Sequence, residues 1–303
     1  MSDFQKFHVR QHYIPQFILK NFCYDLHKSK VYFFEAGEDE YSSLYVSNVF
    51  MEKHLYSKAE NQLDIEESLA KFETEVAPIF KKLSNDAEIS LTFAEDERLR
   101  IFLSLLAFRA ASTRDQFDNM SDISKKMYGR TSDDTNMKDI WLKNVHLLSQ
   151  SRSIKEVLSN SEISTPLKVF ITHEFSSFYM CILERRGLVD FLISDCFPVV
   201  MNGEGVLPNG ASFNLPIYYF YPISESRVIV LVTNNIQDVP RSVSNLDFAK
   251  TLKGPKGSVD RTHLIFRPAR VYLQDVEWIN EMIVKNAKTG VVVKDLERCS
   301  DCL

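Results

Sequence analysis

Apolar and polar positions alternate differently in three stretches of this chain. In the first, residues 31–34 form a short aromatic run, Val-Tyr-Phe-Phe, and residues 45–50 also read as extended, so residues 1–58 should hold one or two strands. Helical spacing then takes over. Ile65, Leu69, Phe72, Val76 and Leu83 recur on one face, with Asp64 placed to cap the helix and Glu67 at the capping-box position. Pro78 should kink this helix or break its ladder, and residues 84–88 read as a loop. Thr92 and Glu95 form a second capping box, opening a helix with Leu99, Phe102, Leu103, Leu106 and Phe117 on its apolar face.

Residues 121–165 are polar and read as a loop between shorter helices, one near residues 137–149 and one near 154–158. Pro166 suits a new helix start, and Phe170, Phe175, Phe178 and Tyr179 look like core. The third stretch begins near residue 187. Residues 188–193, 217–221, 227–232 and 262–266 are β-type runs, and residues 202–214 read as a loop bearing Gly, Asn and Pro. A last helix near 275–287 carries Val276, Ile279 and Ile283, and residues 291–293 close as a strand. The fold class is α+β: a helical part over 62–186 packed against a β-rich part over 187–303, with the N-terminal motif and strands in 1–58. No linker marks a boundary, so residues 1–303 read as one domain.

Composition narrows this little. The 22 Phe and 12 Tyr against 9 Gly suit a well-filled core. A net charge of -5 argues against coating nucleic acid by bulk attraction, while leaving room for a local basic cleft. The five Cys are an odd set in a large chain, so no disulfide framework is expected. Cys299 and Cys302 have metal-ligand spacing, but a structural zinc site takes four ligands and no second pair exists; no metal is assigned and the tail reads as frayed. The first residues are polar, and no apolar run reaches the roughly 18 residues of a membrane span, so a cytoplasmic location without membrane contact is expected.

The richest local chemistry lies in residues 10–22, where Arg10, Gln11, His12, Gln16, Lys20 and Asn21 are interleaved with Tyr13, Phe17 and Phe22 around Pro15. This stretch resembles the opening signature of the bacterial and viral family known as domain of unknown function 4238: basic-x-His-Tyr-aliphatic-Pro-x-aromatic-aliphatic-Leu-basic-Asn-Phe. The likeness continues through Ile65-Glu66 and Phe72-Glu73, residues 102–109 ending in Arg109, Ser194-Asp195 with Pro198-Val199, and Asn280 with Asn286-Ala287. Two departures stand out. Leu106 and Ala110 replace a Gln and a Thr common in relatives, and Cys196 with Phe197 stand where relatives carry one residue. The resemblance implies a fold over nearly the whole chain and a set of special positions, but no settled activity.

Candidate chemistry rests on five residues. His12 is either a catalytic proton carrier or a buried imidazole that pins the N-terminal segment. Gln16, like Asn21, either meets substrate or bonds backbone. Asp195 follows the apolar residues 191–193 and either serves catalysis (as base, metal ligand or partner of His12) or caps the strand in an Asx-type turn; Ser194 beside it would contact substrate. Arg109 ends an apolar helical stripe and either holds a phosphate or carboxylate, or pairs with Asp195, Glu66 or Glu73.

The Glu66, Glu67, Glu73 and Glu75 series reads chiefly as a solvated helix face. Gly203-Glu-Gly205 lacks a dinucleotide fingerprint, Lys253-Gly-Pro-Lys-Gly lacks P-loop spacing, and His54, His146, His173 and His263 form no metal set. The cofactor is unknown. Two functions from different classes fit: a hydrolase, nuclease-like or nucleotide-cleaving, with a nucleotide or nucleic acid in a local cleft and a defence or toxin role; or a non-catalytic interaction protein in which the same residues form a hydrogen-bonded lattice.

Overall fold

The computed structural model describes residues 10–53, 55–56, 62–110, 113, 137–206, 212–234 and 252–299. Phe117, His54, Cys302 and most of the polar stretch before residue 137 lie outside them.

The N-terminal segment forms β1 (Arg10–His12), α1 (Gln16–Leu19), β2 (Lys30–Glu35), β3 (Tyr41–Tyr45) and β4 (Met51–Lys53). Pro15 sits before α1, where its missing N–H costs nothing, and its carbonyl accepts from Ile18 and Leu19. Residues 46–50 are not extended throughout. A 3₁₀ turn at Val46–Asn48 puts Val46 and Val49 on one buried side, a spacing of one such turn.

Helices α2 (Gln62–Asn85) and α3 (Phe93–Arg109), joined by β5 (Ile89–Thr92), form the centre. Helix α2 starts before Asp64, which therefore lies in the first turn and favours the dipole there rather than capping it. The helix runs through Pro78 on its exposed face, where water can meet the carbonyl left without a donor. In α3 the Thr92–Glu95 capping box is complete, and nearly every residue from Leu99 onward is buried, the signature of an interior helix. It packs against α2, α4 (Met137–Gln150) and, beyond α5 (Ile154–Ser159), α6 (Thr165–Ser177). The Trp141 indole donates to the Phe108 carbonyl at 3.0 Å.

The remaining strands are β6 (Phe178–Arg185), β7 (Ile193–Ser194), β8 (Val199–Val206), β9 (Ser212–Pro222), β10 (Arg227–Thr233), β11 (Lys256–Gly257), β12 (His263–Phe266), β13 (Ala269–Val271) and, after α7 (Leu273–Asn286), β14 (Gly290–Val293). A five-stranded sheet runs β13-β6-β10-β9-β8, a three-stranded one β11-β12-β5, and a four-stranded one β3-β2-β14-β7. In the last, β14 lies between β2 and β7, so both ends of the chain share a sheet. Gly290 is required there: its φ is 156°, and a Cβ would stand 2.2 Å from the Phe34 carbonyl oxygen.

Two sequence expectations fail in this part. Residues 188–192 are not strand, although Phe191 and Leu192 are fully buried. The reason is Asn280, itself fully buried, which accepts from the Leu192 N–H at 3.0 Å and donates to the Asp190 carbonyl at 2.9 Å. A side-chain amide thus supplies what a neighbouring strand would. Residues 202–206 and 212–214 are hairpin arms rather than loop, because ladder pairing of β8 with β9 overrides weak β propensity, at the cost of an irregularity between Met201 and Asn202.

The helices and the five-stranded sheet meet through polar anchors. Tyr221 donates to the Leu103 carbonyl at 3.2 Å, and Arg100 to that of Phe178 at 3.1 Å. Glu174 is buried in the same layer, and burial pushes its carboxyl up to about 7, with Tyr219 and Arg100 pulling partly back. The folded chain therefore holds a proton that the unfolded chain releases near pH 4.5, so stability falls as pH rises from there through about 7. Glu174→Gln should flatten this slope and raise stability at pH 8 by on the order of 2 kcal/mol, read from denaturant midpoints at pH 5 and 8.

Candidate functional site

Helix α2 crosses beside the N-terminal motif and leaves a solvent-open cleft of about 450 Å³, lined by Gln11, His12, Gln16, Tyr56, Glu66, Glu73 and Arg109 among apolar neighbours such as Phe17 and Leu69. The structure thus brings His12 and Gln16 of the N-terminal motif together with Arg109, which is distant in sequence.

His12 closes β1 and is held from both sides. Its Nε2 lies 3.2 Å from the Val46 carbonyl, which can only accept, so Nε2 carries the proton and Nδ1 keeps its lone pair. Gln16, four residues on and exposed, donates its amide to Nδ1 at 3.3 Å. Burial lowers the His12 pKa, the Val46 bond partly restores it, and the nearby Arg109 charge lowers it again. The imidazole is a neutral base at pH 7.

Arg109 is 2% exposed at the end of α3, with Nη2 donating to the His12 carbonyl at 2.6 Å and Nη1 to Glu73 at 3.2 Å. Burial works against its charge, but Tyr56 and Glu73 outweigh it and raise the pKa further. Glu73 itself is raised by burial and pulled back by Arg109. Gln11, also buried, donates to Glu66 and accepts from the Tyr56 backbone N–H at 2.8 Å. The Arg109–Glu73 pair is one of those expected from the sequence; Gln11 and Tyr56 are not among the candidates it offers, and Glu66 and Glu73 read there chiefly as a solvated face. They are half-buried instead. Their spacing of seven, beside the apolar stripe of Ile65, Leu69 and Phe72, was the available signal.

Ser194 and Asp195 do not line the cleft. Asp195 is 2% exposed, and its two carboxylate oxygens accept the backbone N–H groups of Lys288 and Thr289, each at 2.9 Å. It fixes the turn between α7 and β14. Ser194 pairs within the sheet and donates to the Cys196 carbonyl. Asn21 donates to the Ile223 carbonyl at 2.7 Å, tying the motif to the five-stranded sheet. Asp195→Ala should leave the Lys288 and Thr289 backbone amides without their acceptor and cost about 2 kcal/mol, more than Asp195→Asn, which keeps one acceptor; chemical denaturation reads both.

Among the described residues, no group of three or more His, Cys, Asp or Glu is arranged to hold a metal ion, and no helix is long and apolar enough to cross a membrane. Cys299 donates its thiol to the Leu296 carbonyl.

An α+β chain with a cleft between its N-terminal motif and its first long helix is the class that these features define. The chain belongs to the family described as proteins of unknown function, DUF4238, whose model matches residues 10–296. No curated protein and no solved structure matches it.

Proposed function

We propose that the His12 cleft is the reaction centre of a hydrolase acting on a phosphate ester of nucleotide type. The observation that carries this reading is the fixed tautomer of His12: Val46 takes the Nε2 proton, and Nδ1 meets, among the described residues, an exposed, displaceable Gln16 amide. A water that displaces Gln16 would give its proton to Nδ1 as its oxygen attacks phosphorus; the bond to the leaving oxygen breaks, and His12 returns the proton to that oxygen. Arg109 adds positive charge beside the cleft, where developing anionic charge is stabilised. The volume suits one nucleotide. Ser194 and Asp195 take no part.

The test is turnover by the purified chain of a panel of nucleotides, dinucleotides and short single strands, with products read by mass spectrometry. Hydrolysis at a phosphate ester supports the reading. A folded protein that turns over none of them hands the cleft to the second reading, a non-catalytic interaction protein. One observation favours that alternative: Gln11 and Arg109 both spend their polar groups joining β1 to α2 and α3.

A further inference from the structure

A second hollow, of about 840 Å³, shares no lining residue with the His12 cleft. It lies where β11, the outer strand of the three-stranded sheet, approaches β13, the outer strand of the five-stranded one. Lys253 and Lys256 come from one rim and Arg267 and Arg270 from the other, against a single lining carboxylate, Glu88. That carboxylate is taken by Arg267 at 2.7 Å. Arg270 stands 3.6 Å from Glu184, which already binds the buried Arg227 at 2.7 Å. Lys253 and Lys256 make no ion pair among the described residues and are exposed.

A surplus of cations around a concavity, in a chain of net charge -5, focuses a positive potential that an anion would relieve. At Gly257 a Cβ position meets nothing within 4 Å, so a ligand chain can come down onto the backbone. The lining residues include no aromatic ring, which removes base stacking as a source of affinity. A recess also cannot enter a duplex groove, which takes a protruding helix or ribbon.

We propose that this trough binds the phosphodiester backbone of a single-stranded nucleic acid, without regard to base. The inference is independent of the acid–base reading of His12, because binding is read without turnover.

Fluorescence anisotropy of the full chain with a labelled oligothymidylate of about 15 nucleotides tests it. Wild type should bind, and an abasic strand of the same length should bind equally. With about three phosphates neutralised, affinity should fall about eighteen-fold between about 50 mM and 200 mM salt. Lys253→Glu with Lys256→Glu should weaken binding more than about tenfold with an unchanged thermal melt. Arg270→Gln should weaken it several-fold, a second route should the double charge reversal disturb the fold. Full affinity in both charge variants, preference for duplex, loss of binding on removing the bases, or displacement by low millimolar inorganic phosphate would each overturn the proposal.

Discussion

Arg109→Ala is expected to destabilise the chain by about 3–5 kcal/mol, the largest stability loss of any single substitution in the cleft. The guanidinium is almost fully enclosed and touches both the His12 backbone and Glu73 on α2. Truncation leaves the His12 carbonyl and a half-buried carboxylate without their donor, and it opens a void at the end of α3. Urea unfolding measures the loss. A second substitution separates pairing from packing: with Glu73→Gln in the background, Arg109→Ala should cost less, because no carboxylate is left stranded. A cost for Arg109→Ala within about 0.5 kcal/mol of zero would remove Arg109 from the architecture altogether.

His12→Gln should lower kcat/KM for hydrolysis by about 10²–10⁴-fold while leaving stability within about 1 kcal/mol, since a glutamine amide can still donate to the Val46 carbonyl. Wild-type activity should be flat near pH 7 and fall on the acid side with a midpoint below the usual 6.5 of imidazole, because burial and Arg109 both disfavour the cation. The sign for stability follows from the same shift. Below pH 6.5 the unfolded chain takes a proton that folded His12 resists, so the fold loses a little stability as pH falls there. Activity retained in His12→Gln, or an acid limb well above 6.5, would rule out the imidazole as base.

Much of the architecture was legible from local rules. The Thr92–Glu95 box, the stripe from Ile65 to Leu83 and the helix started by Pro166 are set by neighbours in sequence, and each forms where the pattern places it. What was not legible depended on partners far along the chain. The apolar residues 191 and 192 look like strand, but Asn280 decides otherwise. Asp195 has the residue type of a catalytic acid and is used as a backbone clamp, because Lys288 and Thr289 arrive at its carboxylate. Glu73 was legible as a partner for Arg109, but its burial was not, since that depends on where α3 ends. Three of the residues that the sequence singled out, His12, Gln16 and Arg109, line one cleft, while Asp195, expected beside them, does not. Their convergence came only with the fold.

Because β14 slots between β2 and β7, the hairpin of β2 and β3 gains its inner neighbour only after about 250 further residues have been made. During synthesis β2 must wait with one edge bare, and a bare edge invites pairing with other chains. Growth at low temperature, slower translation or a holding chaperone should therefore improve recovery of this protein more than tighter packing of its helices would.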